Sequence, residues 1–593
     1  MSEHTLEQGL TAWARGRFAA ACPGVSPTEL RADVSAAADE RFGDYQCNAA
    51  MSLARLLKVK PRELAETIAV QPPPEGVASM SVAGPGFLNF HLDAAWMARQ
   101  LERIDADPAL GVPELGRGHT VVIDYSSPNI AKPMHVGHIR STVIGHALDR
   151  MHRFLGYRVI ADNHLGDWGK QFGMLILGWK RHLDAAALDA DPIAEMERLY
   201  RLVNAACETD PAVEQEAKRE LVALQQGDAE NLALWKRMYE LSQSQFESVY
   251  RRLGVCFDVT LGESYYNPRL PAVVEELLAR GIARESQGAI AVFSDGQAVP
   301  EHDPFLIRRD GEWQANPCIV RKEDGGFNYA TTDLATLAYR METWSPSAIV
   351  YVTDGRQQLH FRQLFQAFAR WKPESTARLE HVWFGTILGP DGRPFKTRSG
   401  DTVRLSELLD EAVERALRIV SDKSPEIPLA EREAIARVVG LGAIKYGDLQ
   451  SNRQNDYVFS WDRMLAMDGN TAPYLQYACA RIRSVLDKYE EKFPGRSLAG
   501  MPIRLADPVE RGLGLRVLQF ADVVRHAASA CRPNILCDYL FSLAQAYSGF
   551  YQAVPFLKAD EGVRESRIRI SSVVARTLRK GLDLLGIQVP DRI

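Results

Sequence analysis

Two histidines, a glycine and a lysine stand close together in the stretch NIAKPMHVGHIRST, residues 129–142. His135 and His138 share one face of the first turn of a helix, and their ring nitrogens can donate to phosphate oxygens. Gly137 lets a flat ring or a backbone approach closely, and Lys132 adds a point charge on the same loop. These residue types indicate a phosphate-binding turn. Capping or surface histidines would give the same pattern, because short motifs also match by chance.

The elements around this turn predict a parallel sheet. Residues 121–125 form a short apolar strand, residues 134–155 repeat apolar side chains at helix spacing, and residues 157–162 form the next strand. Pro133 suits the first helical turn, and Gly156 suits the C-terminal cap. Ligands bind beyond the carboxyl ends of such strands, where the next helix presents free N–H groups and its positive dipole end. We therefore expect the histidines to face phosphate at that edge of the sheet.

The rest of the chain divides into regions of different character. Residues 1–115 predict a separate α/β or α+β module, followed by a Gly- and Pro-containing linker at 111–120. The strand and helix alternation of residues 116–404 is interrupted near 180–290 by charged amphipathic helices, which we interpret as an insertion. Across residues 405–593 we expect no further strand, and the periodicity predicts a helical bundle.

The composition is typical of a globular protein without a membrane span. The chain has 593 residues, of which 46% are hydrophobic, and a net charge of −6, which still allows a local basic face for nucleic acid. No apolar run reaches the roughly 18 residues that a span requires. The acidic N-terminus lacks the apolar region of a secretory signal. The cysteines form no C-x-x-C pair, which predicts reduced cytosolic thiols rather than zinc ligands, and we expect a cytoplasmic protein.

The motifs carry a resemblance to a known family. HVGH (135–138) resembles the HIGH signature of class I aminoacyl-tRNA synthetases, and FKTRS (395–399) is similar to a degenerate KMSKS loop. Phe395 replaces the first lysine of that loop, and Arg398 stands in place of the second. In arginyl-tRNA synthetases this loop is often degenerate, and a lysine just before HIGH, here Lys132, takes over part of its role. The chain is identified as a member of that family by further blocks in the family's order: SSPNIAKPMHVGHIRSTVIG, NHLGDWGKQFG, FNYATTDLA, GAIKYGDL and GNTAPYLQYACARIRS.

The resemblance implies both a fold and a reaction. The fold is α/β: a Rossmann-like parallel-sheet catalytic domain with the insertion (116–404), an N-terminal α+β additional domain (1–115) and a C-terminal α-helical anticodon-binding bundle (405–593). The activity is that of an arginine–tRNA ligase. The carboxylate of L-arginine attacks the α-phosphate of ATP, and the 2′-hydroxyl of tRNA(Arg) then takes the arginyl group, so that AMP and pyrophosphate are released. Mg²⁺ accompanies ATP on phosphate and water ligands.

The family's site residues carry over to matching positions. The positions that bind ATP are His135, Gly137, His138, Lys396 and Arg398. The positions that act in catalysis are Lys132, His135, His138, Lys396 and Arg398. The positions that bind arginine are Asp124, Asn129, Tyr329, Asp333 and Gln357. No metal ligand is assigned.

The residues themselves agree with an arginine pocket but allow other interpretations. Carboxylates such as Asp124 and Asp333 suit a guanidinium, although some members of the family carry Glu at the first position. NHLGDWGKQFGML (163–175) would form a wall of the same pocket. Taken singly, an Asp at a strand end is usually a turn or cap residue, and FNYATTDLA could be an ordinary helix start.

The tRNA contacts are also assigned by position. Phe87 and Asn89 match the additional domain's contact with the tRNA D-loop, where a ring and an amide suit an unstacked base; a core Phe and a turn Asn are the alternative. In the C-terminal domain the matching contacts are Tyr474, Arg481 and Tyr551. The family usually ends in a methionine that helps to recognise the anticodon, whereas this chain ends in Ile593.

Three other functions fit parts of the sequence. A synthetase for another amino acid is disfavoured by the paired acidic residues and the degenerate loop. A small-molecule nucleotidylyltransferase would leave the N-terminal module and the helical C-terminus without a role. A catalytically idle tRNA-binding relative is disfavoured because Lys132, both histidines and both aspartates are present. By family habit we expect a monomer that needs bound tRNA to form the adenylate, and no heptad run marks a dimer helix.

Overall fold

The structure is a computed structural model that describes residues 3–37, 39, 41–395 and 403–592. Its N-terminal elements are α1 (Leu6–Ala21), β1 (Val34–Ala36), β2 (Tyr45–Cys47), α2 (Ala49–Leu57), α3 (Pro61–Ala69), β3 (Val77–Ala83), β4 (Phe87–Leu92) and α4 (Ala94–Ala106). The four strands form one antiparallel sheet in the order β1–β2–β4–β3. Helix α1 begins where it does because Thr5 and Gln8 form a reciprocal capping box. The α+β fold expected for this part is confirmed.

The middle of the chain alternates strands and helices. Its elements are β5 (Thr120–Asp124), α5 (Val136–Phe154), β6 (Arg158–Leu165), α6 (Lys170–His182), α7 (Ala185–Ala190), α8 (Pro192–Thr209), α9 (Pro211–Gln225), α10 (Ala229–Leu253), β7 (Val259–Gly262), α11 (Leu270–Ala279), β8 (Ala283–Ser286), β9 (Ala289–Val292), β10 (Leu306–Arg309), β11 (Glu312–Ala315), β12 (Cys318–Arg321), α12 (Tyr329–Trp344), β13 (Ala348–Tyr351), α13 (Gln358–Trp371), β14 (Arg378–His381) and β15 (Ile387–Leu388). Short 3₁₀ helices cover Glu263–Arg269 and Gly355–Gln357.

Five of these strands form the central sheet, in the order β14–β13–β5–β6–β7, and all neighbours are parallel. The chain winds from β5 to β6 and β7, then crosses back to β13 and β14 on the other side. A crevice opens at such a reversal, beyond the carboxyl ends of the strands. Asp124 on β5 pairs in register with Asp162 on β6 and Tyr351 on β13, so polar side chains meet at this edge. The parallel sheet predicted from the sequence is confirmed.

The range near 180–290 is only partly helical. Helices α7 to α10 fill it as far as Leu253, but β7 follows and forms an edge of the central sheet. Beyond β7, a small antiparallel sheet in the order β12–β9–β8 and the β10–β11 hairpin lie between the two halves of the central sheet in sequence. Strand β7, which positions part of the site, was therefore not predicted from the helical periodicity of this range.

The C-terminal part is almost entirely helical. Its elements are α14 (Leu405–Lys423), α15 (Leu429–Leu449), β16 (Tyr457–Val458), α16 (Trp461–Met464), α17 (Ala472–Lys492), α18 (Pro508–Leu518), α19 (Phe520–Ser529), α20 (Asn534–Ala553) and α21 (Val563–Leu584). The helical bundle is confirmed, but the expectation of no further strand is wrong, because β16 pairs in parallel with β15. A two-residue strand depends on a distant partner and leaves no periodic signal of its own.

Helix α5 lies at the centre of the molecule. Most of its residues are buried, against the sheet on one side and against α14, α15, α19 and α21 on the other. Gly145 allows Tyr125 to pack on the helix, since a Cβ there would lie 2.2 Å from the tyrosine ring. The Lys445 ammonium beside α5 donates to the carbonyls of Gly586 and Leu253. The helix that follows the histidine turn is thus fixed by both halves of the chain.

Ion pairs join the N-terminal domain to the C-terminal helices. Asp44 forms a bidentate pair with Arg511, at 2.6 and 2.9 Å. Glu7 at the start of α1 pairs with Arg525, and its backbone N–H donates to the buried carboxylate of Asp522 on α19. Both contacts hold the N-terminal sheet beside the bundle rather than beside the central sheet.

Candidate active site

The two histidines cap the helix that follows β5. His135 is the N-cap residue of α5, and its Nδ1 accepts from the N–H of Gly137 at 3.1 Å. His138 Nδ1 accepts from the N–H of His135 at 3.0 Å, and the two rings lie 4.0 Å apart. With both Nδ1 atoms accepting, each ring carries its proton on Nε2 and can donate it to a ligand. A capping role and a ligand-binding role therefore occur together in the same residues.

Both imidazoles are neutral near pH 7. The pKa of His138 is lowered to about 3, chiefly by burial and also by the neighbouring His135. Burial also lowers the pKa of His135, helped by the charges of Arg356 and Lys132. Neutral donors beside two cations suit a polyphosphate, because the side chains bind oxygen without adding charge of their own.

Lys132 is held by the helical insertion. Its ammonium lies 5.5 Å from the ring centroid of Tyr200 on α8, a cation–π contact. The same helix contacts Arg404, which pairs with Asp191 at 3.0 Å and lies 3.8 Å from Glu197. Helix α8 thus supports one residue before the histidine turn and one residue after the KMSKS-like segment.

The residues that flank the KMSKS-like segment lie against the histidine turn. On one side, the N–H of Phe395 donates to Ile387 O on β15, and the Phe395 ring stacks on Phe459 at 4.6 Å. On the other side, the N–H of Val136 donates to Val403 O, and the N–H of Leu405 donates to Met134 O. Lys396 and Arg398 lie outside the described residues, so their assignment stays a prediction.

Asp124 is part of a buried ion-pair cluster. Its Oδ2 lies 2.6 Å from Nη2 of Arg340, a fully buried residue of α12 that also pairs with Asp162 at 2.8 Å. Its Oδ1 accepts from Ser127 Oγ at 2.9 Å. Arg340 therefore already compensates the carboxylate that sequence reasoning directed at a substrate guanidinium. The sequence shows Arg340 only as one polar position of an amphipathic helix.

Three other expected arginine-binding residues meet around a histidine that sequence reasoning missed. His360 Nε2 lies 2.6 Å from Asp333 Oδ2, and its ring packs edge-on against Tyr329 at a centroid distance of 4.7 Å. Tyr329 is 60% exposed, and Gln357 is also exposed, one helical turn before His360. His360 in QQLHF follows Gln357 at helix spacing, which was the signal that could have identified it.

Glu263 is an acid of the site with a raised pKa. It follows β7 directly, so it lies at the same carboxyl edge of the sheet. Its pKa is raised to about 8, chiefly by burial and also by the charges of Asp333 and Asp167. Within the described ranges, no hydrogen bond or ion pair engages its carboxylate. Sequence reasoning missed it because β7 itself was hidden in the helical insertion.

The NHLGDWG segment lies beside Glu263; that it lines an arginine pocket stays a prediction. Asp167 accepts from the N–H and Oγ of Ser264, at 2.9 and 2.6 Å. Gly262 permits this contact, since a Cβ there would lie 2.0 Å from Asp167 Oδ2. The exposed Asn129 lies over Gly166, where a Cβ would be 2.1 Å from its Oδ1. The structure thus brings Asn129 to this segment, where the charge of Asp333 also acts on Glu263.

The D-loop positions differ in accessibility. Phe87 is half-buried, whereas Asn89 is completely buried. The Asn89 amide nitrogen donates to Phe87 O at 3.3 Å, and its Oδ1 has no partner in the described structure. The backbone of Gly43 covers this side chain, because a Cβ at Gly43 would lie 3.1 Å from Asn89 Cβ. Asn89 reaches a base only if that cover moves.

The C-terminal positions share one face of the bundle. Arg481 on α17 lies over the ring of Tyr551 on α20 at 4.7 Å, and Tyr474 packs edge-on against Phe541 at 5.5 Å. Tyr477 stands between them on α17 and is 46% exposed. Its spacing from Tyr474 and Arg481 places it on the same helix face, which the sequence periodicity could have indicated. Ile593 lies outside the described residues.

Neither a metal-binding cluster nor a membrane-spanning helix is found in the part of the chain that the structure describes. No group of three or more His, Cys, Asp or Glu side chains there could hold a metal ion. No helix among them combines the length and apolar character that a membrane crossing requires.

The chain is similar along its length to proteins of one kind. Three family models match in succession: "Arginyl tRNA synthetase N terminal domain" at residues 14–92, "tRNA synthetases class I (R), catalytic domain" at 101–461 and "DALR anticodon binding domain" at 475–593. The arginine–tRNA ligase of Cellvibrio japonicus is 44% identical over 574 residues, which cover 96% of each chain. The arginyl-tRNA synthetase of Plasmodium falciparum superposes with a TM-score of 0.82 at 26% identity, covering 100% of both chains. That of Thermus thermophilus gives the same TM-score and identity over 99% of this chain and 100% of its own.

Proposed function

Because the chain belongs to the arginyl-tRNA synthetase family, we propose that its sheet-edge site activates L-arginine with ATP and passes it to tRNA(Arg). The activity is that of a class I arginine–tRNA ligase. One observation carries the assignment to this site: Glu263 follows β7 at the same sheet edge as the histidine pair, no hydrogen bond or ion pair engages its carboxyl within the described ranges, and the charge of Asp333 acts on it to raise its pKa. Two acids without a cation between them suit a guanidinium, whereas a neutral side chain would leave them uncompensated.

The arginine pocket combines the expected residues with Glu263. Asp333 and Glu263 bind the guanidinium, and the exposed ring of Tyr329 covers it. Asn129 and Gln357 bind the amino and carboxylate groups of the substrate. Asp124 also binds the substrate, through the Oδ1 atom that accepts a hydrogen bond from Ser127 Oγ when no substrate is bound.

Activation requires positioning and charge compensation but no protein nucleophile. A carboxylate oxygen of arginine attacks the α-phosphorus, a new O–P bond forms, and the bond to the β-phosphate oxygen breaks to release pyrophosphate. The Nε2–H groups of His135 and His138 donate to the triphosphate, close to the exposed backbone of Gly137. Lys132, Lys396 and Arg398 compensate the negative charge that develops on pyrophosphate. Mg²⁺ binds with ATP on phosphate and water oxygens.

The second step places the tRNA across all three domains. The 2′-hydroxyl of the terminal ribose attacks the arginyl carbonyl, and AMP leaves. Phe87 contacts the D-loop, and Asn89 does so once the backbone of Gly43 moves away from it. Tyr474, Arg481 and Tyr551 contact the anticodon loop, where the ring faces suit base stacking. We further propose that adenylate formation needs bound tRNA and that the enzyme works as a cytoplasmic monomer.

ATP–pyrophosphate exchange tests this proposal directly. Exchange is measured with each of the twenty amino acids, with and without total tRNA, on the wild type and on His138→Ala. Exchange with arginine alone, only when tRNA is present and lost in the variant, is the expected result. Exchange with another amino acid would contradict the pocket, and exchange without tRNA would contradict the coupling. No exchange by folded protein with competent tRNA would leave an idle tRNA-binding relative.

A further inference from the structure

Arg140, on the second turn of α5, is buried where three segments meet. It is 1% exposed, and its Nε lies 2.8 Å from Oδ1 of Asp448, which is equally buried. Its Nη1 donates to Gly385 O at 2.7 Å and to Asn455 O at 3.2 Å. One guanidinium therefore contacts the histidine-bearing helix, the strand region before the KMSKS-like segment and the C-terminal part of the chain.

Each of these contacts bears on the nucleotide site. Arg140 follows His138 on α5, so its position fixes the helix turn that carries both imidazoles. Gly385 precedes β15, which leads to Phe395 and the KMSKS-like segment. Asp448 lies on α15, and Asn455 leads into β16, the parallel partner of β15. No other side chain in the described structure is hydrogen-bonded or ion-paired across these same three segments.

Two aromatic rings and a buried carboxylate surround the Arg140 guanidinium and hold it in place. The ring centroids of Phe384 and Tyr457 lie 5.6 and 5.2 Å from its central carbon. Burial raises the pKa of Asp448, whereas the charge of Arg140 opposes that rise. A buried ion pair of this kind adds little net stability, but removing one partner leaves an uncompensated charge. The position of the Arg140–Asp448 ion pair is therefore better explained by the three segments that it aligns than by its contribution to the free energy of unfolding.

We propose that Arg140 is a positioning residue, which through Asp448 and the two carbonyls sets the position of the histidine turn relative to the strand region that begins at Gly385 and includes β15. It does not touch substrate. It acts through α5 and through the backbone at Gly385, so the C-terminal bundle determines how the histidine turn faces β15 and Phe395. This inference rests on the proposed adenylate-forming reaction.

Arg453 provides a matched control. It is also buried, at 6% exposure, and donates to Cys531 O and Trp383 O, so it joins the bundle to the same strand region. None of its hydrogen bonds or ion pairs within the described ranges reaches α5. Arg453→Lys therefore disturbs a comparable buried contact without disturbing the histidine helix.

The test measures kcat and the KM for ATP and arginine in tRNA-supplemented ATP–pyrophosphate exchange. The variants are Arg140→Lys, Asp448→Asn and Arg453→Lys, with unfolding midpoints measured in parallel. We expect the first two to lower kcat roughly 10- to 100-fold, because a misplacement near 1 Å has effects of that order. The arginine KM should stay within about twofold, and Arg453→Lys should retain most of the activity. Amide hydrogen exchange at Val136 and Leu405, which bond across the two segments, should accelerate in the first two variants only.

Two outcomes would overturn the inference. One is an equal loss of kcat in all three variants, which would mean that any weakened contact with the bundle has the same effect. The other is unchanged kcat in Arg140→Lys and Asp448→Asn. If Arg140→Lys does not fold, Asp448→Asn decides, because it keeps the shape of the side chain. Failure of the proposed function itself is distinguishable, since the wild type would then show no arginine-dependent exchange.

Discussion

The histidine pair shows how a helix cap becomes a binding group. Each Nδ1 accepts a backbone N–H at the start of α5, which satisfies donors that a helix terminus leaves free. The same bonds fix the proton on Nε2, and burial keeps both rings uncharged. The positive charge of the site therefore comes from lysine and arginine, while the imidazoles contribute N–H donors in fixed directions.

Replacing His138 by alanine should lower kcat of pyrophosphate exchange roughly 100-fold, because removing one preorganised donor to a developing charge has an effect of this order. Since burial lowers the pKa of His138 to about 3, the ring stays neutral from pH 6 to 8. The ratio of wild-type to variant kcat should therefore be constant across that range. A ratio that changes tenfold between pH 6 and 7 would show that a charged imidazole acts instead.

Glu263 should make arginine binding depend on pH. In the free enzyme its pKa is raised to about 8, so near pH 7 the carboxyl is largely protonated. The guanidinium binds the ionised form, and binding therefore releases a proton. The arginine KM should fall as pH rises from 6 to 8, by up to about tenfold per unit, and level off above pH 8. Steady-state exchange at several pH values measures this.

Glu263→Gln is the control for that prediction. The amide cannot ionise, so the variant should have a higher arginine KM and a flatter profile between pH 6 and 8. A variant profile with the wild-type slope would assign the titration to another group.

At the scale of elements, the insertion supports the nucleotide site. Tyr200 on α8 holds the Lys132 ammonium near His135, whose pKa that charge lowers. Tyr200→Leu should reduce kcat/KM for ATP about two- to fivefold, since an exposed cation–π contact contributes roughly 0.5–1 kcal/mol. Tyr200→Phe keeps the ring and should match the wild type. If both variants behave alike, Lys132 is positioned by something other than the ring.

Elements with a local signal could be predicted, and elements that depend on distant partners could not. The strands β5 and β6 and the helix α5 were expected within a few residues, because apolar spacing and the flanking Pro133 and Gly156 define them locally. The strands β7 and β16 were missed, since each is short and is stabilised by a partner far away in sequence. The histidine turn was found from its motif. Glu263 and Arg340 were missed because their roles depend on which strands become neighbours.

At the scale of the whole molecule, the contact between the N-terminal domain and the C-terminal helices contains a titratable carboxyl group, that of Asp522. Burial and the charge of Glu7 raise the pKa of Asp522 to about 6, above the ordinary value of 3.8. The protonated carboxyl is favoured in the folded state, so this contribution to the free energy of unfolding is complete below about pH 4 and lost as pH rises through 6. Asp522→Asn should gain stability relative to wild type between pH 4 and 7, by at most about 3 kcal/mol.

Denaturant unfolding at several pH values measures this difference. Asp310→Asn, at the exposed turn of the β10–β11 hairpin, is the control and should show no such trend. A wild-type advantage that grows with pH would reverse the sign and contradict the assignment.

The enclosure of α5 also has a consequence for biosynthesis. Arg140 bonds to a carbonyl 315 positions later, and Arg150 on the same helix bonds to one 433 positions later. Translation delivers the histidine turn long before either partner leaves the ribosome, and contacts so distant form late. A nascent chain can therefore complete the central sheet while α5 still lacks its outer packing. Competence to consume ATP would then arise only near the end of synthesis, when the bundle closes over the helix.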